Sequence, residues 1–299
     1  MADKLRASRK QSPGYFSALL DSAKRLSGYQ EPSGNASPVF TGRIKANGYV
    51  IEKYFVKGEG DYIIPYLLMR PDQSNHKALL YLHPSGKSAD AASGGDMEWF
   101  AKNGFTVLAP DLLGTGEMGP GVFKGDSYVD STSYNILFAS VLTGRSIVGI
   151  QAGDVVRLSH LLKQDTLIKE VYALAKKQMA PVLLHAAAFD KSIGRIALIS
   201  PYSSYRSIAT NQLYKLDFIQ SAVAGSLRAY DLPDLAASLA PRKLILAGVT
   251  DGKGSVEQSA GTDEDISIVR AAYQQKNAGA ELLTAPSGSR ELYKKWIEN

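Results

Sequence analysis

One stretch limits what this chain can fold into more than any other: residues 171–190, VYALAKKQMAPVLLHAAAFD. It opens on an unbroken apolar run, 171–174, after which Ala175, Lys176 and Lys177 lead straight into a helical pattern ending at Asp190. An apolar run too short for a core helix reads as a strand needing cover on both faces, and such strands belong to parallel sheets. A strand that snaps into a helix within a few residues is one βα unit, and one unit alone cannot bury its apolar faces.

The partner units are legible. Residues 78–82 are wholly apolar, 96–102 are helical and 105–109 form a second buried strand. Helical stretches at 134–142 and 146–162 precede the 171 strand. Strands at 195–199, 243–249 and 281–284 alternate with helices at 266–277 and 290–298. Upstream, three alternating stretches (39–45, 49–56, 62–70) are separated by Asn47-Gly48 and by residues 58–60, the pattern of a β-meander. Residues 1–36 read as an entry helix (15–26) and a polar linker. Residues 37–299 read as the main domain, with an irregular insertion from 201 to about 239. The expected fold is α/β: a mixed, mostly parallel sheet with helices on both faces.

Several function classes drop out. The chain has no cysteine, which excludes disulfides, zinc ribbons and thiol catalysis. A net charge of +5 is dispersed, and the basic clusters at 4–10, Lys176-Lys177 and Lys294-Lys295 are no larger than solvated faces, so no nucleic-acid partner is expected. No apolar run reaches the roughly 20 residues of a membrane span, and the first residues lack the apolar stretch of a signal peptide. Gly114-Thr115-Gly116-Glu117-Met118-Gly119 spells a dinucleotide fingerprint, but Pro120 and Gly121 follow where a helix should start. Ser85-Gly86-Lys87-Ser88 imitates the end of a phosphate loop, but the glycine required five residues before Gly86 is Tyr81. His76, His83, His160 and His185 show no metal-binding spacing, and His160 and His185 sit in helical patterns as structural histidines. Neither a metal nor a cofactor is expected.

Leu80-Tyr81-Leu82-His83-Pro84, residues 109–116 (APDLLGTG), the 171–190 unit, Asp231-Leu232-Pro233-Asp234 and Ala240-Pro241-Arg242 occur in one order and spacing. Together they resemble the α/β-hydrolase superfamily, in its acetyl xylan esterase-like branch, over about residues 60–299. Pro84 and Leu113 depart from that pattern. The resemblance implies a serine on the sharp turn, then an acid, then a histidine, in chain order. The imidazole would take the serine proton and the carboxylate would hold the imidazole. Counted back from Asp190, the nucleophile position falls on Lys177, or on Ala175 if the register slips by two. The acid position falls on Asp251. The histidine position falls in residues 286–289, represented by Ser287, and no histidine follows His185. The glycines that flank such a turn are replaced by Ala175 and Met179, from which a relaxed turn is expected. His83, Ser85 and Gln178 are the oxyanion-loop and pocket candidates.

The leading expectation is a catalytically degenerate α/β-hydrolase-fold domain, a binding or structural module or the second half of a longer esterase with a hydrolase domain upstream. The competing one is an active carbohydrate ester hydrolase with relocated groups, His83, Ser85 or Lys177. A third is carbohydrate or small-molecule binding, for which Tyr202, Tyr205, Tyr214 and Tyr230 offer rings, unless they simply pack the insertion. The compartment stays open, with a secreted or periplasmic parent implied by the resemblance.

Overall fold

Strands that need cover on both faces occupy the middle of a nine-stranded sheet, and the alternating ones occupy its edge. The computed structural model describes residues 15–119, 128–129, 132–256 and 260–298. The basic cluster at 4–10 and the Pro120-Gly121 pair lie outside these.

Helix α1 (Tyr15–Ser27) leads into the antiparallel meander β1 (Val39–Lys45), β2 (Tyr49–Lys57) and β3 (Ile63–Pro71). Then come β4 (Lys77–Leu82), α2 (Asp96–Lys102), β5 (Thr106–Pro110), α3 (Tyr134–Leu142), α4 (Ile147–Gln164), β6 (Glu170–Lys176), α5 (Ala180–Phe189) and β7 (Ile193–Ile199). The insertion holds α6 (Tyr205–Ala209) and α7 (Leu232–Ser238); β8 (Leu244–Ala247), α8 (Ala260–Gln275), β9 (Leu282–Ala285) and α9 (Arg290–Ile297) close the chain. The sheet order is β1-β2-β3-β5-β4-β6-β7-β8-β9, parallel from β5 to β9. Among the described residues no single helix is long and apolar enough to cross a membrane.

Successive strand residues point to opposite faces, and the two cores divide by that rule. In β6, Val171, Ala173 and Ala175 face a core shared with α1, α4, α5, α7 and α8. Tyr172 and Leu174 face the other core, with α2 and α9. The expected architecture is the observed one. Helix α1 is part of it: Leu19 and Ala23 are buried in the first core, and the Ser27 carbonyl accepts from the Ser146 hydroxyl at 2.8 Å. Ser146 also caps α4, accepting from Gly149 N–H at 2.9 Å.

Tyr202, Tyr205 and Tyr230 are buried and Tyr214 packs against the same core. These rings fasten the insertion to the domain, so the reading of them as sugar-stacking faces is corrected. Their hydroxyls are spent too: Tyr202 and Tyr205 both donate to the Ser221 carbonyl, at 3.2 and 3.1 Å.

Candidate functional site

Parallel strands present all their carboxyl ends at one edge, and in open α/β sheets ligands bind there. At that edge, β6 passes into α5 through Lys176, Lys177, Gln178 and Met179, the last three forming a 3-10 turn. Lys177 has a left-handed backbone, φ +52°, which costs a residue with a Cβ about 1 kcal/mol. The expected relaxation of the turn has therefore not happened. Ala175 is locked between Leu82 of β4 and Leu198 of β7, and α5 begins with Pro181 in its first turn and is buried almost throughout. Ala175 is small enough to be enclosed, and the flexible Met179 side chain folds into the core. Strand pairing on one side and helix packing on the other hold the corner without glycines. Lys177, at the position counted back from Asp190, is the residue it lifts outward, and its side chain is exposed.

Lys176 has a different fate because the period-2 alternation of Tyr172 and Leu174 turns it toward α2. Its ammonium donates to Asp90 Oδ2 and Asp96 Oδ2, each at 2.9 Å, and lies 5.5 Å from the centre of the Tyr81 ring. The Tyr81 hydroxyl donates to the same Asp90 oxygen at 2.6 Å. Burial alone would raise the Asp90 carboxyl, but the Tyr81 and Lys176 hydrogen bonds outweigh it and hold the carboxyl below its usual range. Burial likewise works against the Lys176 ammonium, yet its two carboxylate partners raise its pKa.

The two nucleotide-motif look-alikes close on each other. Asp111, at the end of β5, accepts from Lys87 N–H at 2.7 Å and from the Lys87 ammonium, which also reaches Glu117 at 2.7 Å. A Cβ on Gly116 would stand 2.1 Å from Asp111 Oδ1, so this glycine is there to let the loop close on the carboxylate. Lys87 thus binds an internal anion where a phosphate loop would bind an external one.

The remaining sequence-selected residues are not united. Asp251 Oδ1 accepts from the N–H groups of Lys253 and Ser255, at 2.8 and 2.9 Å, and so caps its own turn. Ser287 is exposed in the loop after β9, which adjoins the β8 loop at Gly248. Among the described residues, no hydrogen bond or ion pair joins Lys177, Asp251 and Ser287. His83 lies beside the elbow. Its Nδ1 accepts from Ser85 N–H at 3.1 Å and its Nε2 faces Asp90 Oδ2 at 3.9 Å. Burial first, then the cationic Lys176 and Lys177, lower its pKa against the pull of Asp90. Ser85 itself is exposed. The structural assignments of His160 and His185 hold: His160 Nε2 meets Asp190 Oδ2 at 3.0 Å, and buried His185 meets the Pro181 carbonyl at 2.6 Å and the Tyr230 hydroxyl at 2.8 Å.

Gln178 is the pocket candidate that lines a cavity. A cleft of about 80 Å³ opens beside the elbow, bounded by Pro84, Leu113, Thr115, Gln151, Gln178 and Gln220 among others. Gln178 Nε2 donates to Asp217 Oδ2 at 3.2 Å, where Lys215 also sits at 3.2 Å. Gln178 Oε1 and Asp217 Oδ1 are buried with no hydrogen-bond partner. Gln151, Gln220 and Asp217 were not singled out in the sequence. Gln151, an amide within the apolar first turns of α4, was the available signal; Gln220 and Asp217 lie in the irregular insertion and gave none. Among the described residues no group of three or more His, Asp or Glu side chains could hold a metal.

No protein-family model matches the chain, and no curated protein matches it either. Solved structures do resemble it. A Bacteroides fragilis protein assigned as an acetyl xylan esterase superposes with a TM-score of 0.73 at 18% identity, covering 95% of this chain and 80% of that one. Acetyl xylan esterase 1 from Thermoanaerobacterium superposes with a TM-score of 0.65 at 16% identity, covering 98% and 97%. A glucuronoyl esterase from Solibacter usitatus superposes with a TM-score of 0.60 at 11% identity, covering 94% and 90%.

Proposed function

We propose that this chain, which has the α/β-hydrolase fold of those esterases, is a catalytically degenerate, acetyl xylan esterase-like domain that binds a carbohydrate in the cleft beside its elbow. The observation that carries the reading is Lys177. The strained corner survives, but it presents an exposed amine on the residue lifted outward, where serine hydrolases of this fold hold a hydroxyl. Among the described residues no hydrogen bond or ion pair builds a triad around it: Asp251 Oδ1 is spent on its own turn, and the position that the resemblance assigns to a histidine is Ser287. In a longer esterase the domain would serve as companion to a catalytic one.

The alternative, hydrolysis by relocated groups, needs a histidine nitrogen with a free lone pair. Nδ1 of His83 already accepts a backbone N–H, which leaves its proton on Nε2, facing Asp90. Neither nitrogen is then available to take a proton from Ser85 or from water.

The test is direct. Purified protein incubated with p-nitrophenyl acetate should hydrolyse it no faster than buffer, and a fluorophosphonate probe should leave it unlabelled. Enzyme-like turnover, or stoichiometric labelling, overturns the reading. Lys177→Ser should stay inactive because no imidazole is placed to activate the new hydroxyl.

A further inference from the structure

We infer that the β9 edge of the sheet and the groove between it and α8 form a self-association surface, occupied in solution by the same surface of a second copy across a two-fold axis. This surface is separate from the cleft beside the elbow, and the reading of that cleft does not enter.

The two edges of the sheet differ in how they are closed. β1 is outermost on one side and β9 on the other. An edge strand offers unpaired backbone N–H and C=O groups to another chain unless something blocks it. β1 is blocked: it carries Arg43 and Lys45, and its register with β2 shifts between Phe40 and Gly42. A two-fold copy of that edge would set like charges against each other. β9, Leu-Leu-Thr-Ala, carries no charge, pairs with β8 without a register shift and leaves Thr284 exposed.

Beside β9 lies a groove of about 550 Å³ with apolar walls that include Leu246, Val249, Val256, Ile266 and Pro286. Two charged side chains of α8, Asp263 and Arg270, line the same groove. Both are exposed, and among the described residues neither takes part in an ion pair or a hydrogen bond. Seven residues are two helical turns, so the two charges stand about 10 Å apart on one stripe, with Ile266 between them.

Opposite charges spaced in this way select their partner. An antiparallel α8 from a second copy sets its Arg270 against Asp263 and its Asp263 against Arg270, so a two-fold axis forms both pairs at once. A two-fold axis normal to the sheet also runs β9 antiparallel to its copy, so the two edges close on each other while the two α8 helices meet on one face. A singly charged ligand would answer Asp263 or Arg270 and leave the other unmet.

The experiment is sedimentation equilibrium of the full chain over a concentration series reaching hundreds of micromolar. It should show a monomer–dimer equilibrium with no larger species, since a two-fold interface uses up both edges it joins. Arg270→Asp and Asp263→Arg should each weaken the dimer at least about tenfold, because the axis counts each reversal twice. The double variant carrying both reversals should restore the dimer, and Thr284→Lys, which puts a charge on the edge strand, should abolish it. All four variants alter exposed side chains and should keep the wild-type circular dichroism. A chain that stays monomeric throughout, a dimer indifferent to the single reversals or to Thr284→Lys, or a double variant that fails to recover it overturns the inference. Assembly beyond the dimer overturns it as well.

Discussion

Lys176 and Lys177 are consecutive in sequence, yet they belong to two different regions of the molecule. Lys176 ends a strand, points to the α2 face and sits between Asp90, Asp96 and the ring of Tyr81. Lys177 begins the corner, is exposed at the sheet edge and meets no carboxylate among the described residues. The same ammonium group is part of the architecture at one position and is left available at the next. The same contrast recurs elsewhere. Buried His185 has a partner at each ring nitrogen. Asp154, one helix away, accepts from the Tyr62 hydroxyl at 2.7 Å with Oδ2, while its Oδ1 is buried without a partner. Polar groups with every partner in place support the fold, whereas those left short of one either cost stability or wait for a ligand.

Removing the best-held cation should break the comparison most visibly. Lys176→Met leaves Asp90 and Asp96 facing each other without their counter-ion and should cost about 3 kcal/mol, read as a lower urea midpoint. Lys177→Met should change stability by less than about 0.5 kcal/mol. Equal effects of the two variants would end the distinction.

The buried pair His185 and Asp154 should respond to pH with opposite signs. Burial pushes the Asp154 carboxyl up to about 7, Glu59 adding to the effect and Tyr62 and Arg157 opposing it. The unfolded carboxyl ionises near 4, so the folded state holds the extra proton, and stability falls as pH rises from about 4 to 7. Burial pushes the His185 imidazole down to about 4. The unfolded imidazole takes a proton near 6.5, so here stability falls as pH drops from about 6.5 to 4. Burial also pushes the Asp231 carboxyl up to about 7, so it acts in the same direction as Asp154. Asp154→Asn should make stability rise with pH relative to the wild type, by about 3 kcal/mol between pH 4 and 6.5. An Asp154→Asn profile parallel to that of the wild type in pH-dependent denaturation would show that the Asp154 carboxyl is not held protonated by the fold.

Tyr230→Phe strips His185 Nε2 of its partner at full burial and should cost about 1.5 kcal/mol. The smallest expected effect is a gain. Lys177→Gly relieves the left-handed strain and should stabilise the fold by up to about 0.5 kcal/mol, after the entropy that glycine adds to the unfolded chain. A loss would mean that Lys177 makes a contact that supports the fold.

Much of this could be read in the residues. The apolar runs at β4, β5, β6 and β7 place a parallel core, and counting back from Asp190 finds the corner residue, because local periodicity encodes both. Inferring a relaxed corner from Ala175 and Met179 went astray because the reasoning stayed local. The glycine rule describes the turn by itself, whereas here β4, β7 and α5 dictate its backbone. The tyrosines of the insertion could be read either as sugar-stacking rings or as packing, since composition names a ring but not which side of the core it fills.

By itself, the sequence determined the βα alternation, the paired lysines at the turn and the lack of any histidine after His185. Those are statements about residue identity and spacing along one strand or helix. Only the tertiary structure decided that the corner keeps its strain, that Lys176 is enclosed while Lys177 is not, and that Gln178 faces a cleft with one oxygen unmet. Asp90 and Asp96 lie 86 and 80 residues from the lysine they hold. Partners that distant are chosen by how the strands are ordered in the sheet, which no local pattern records.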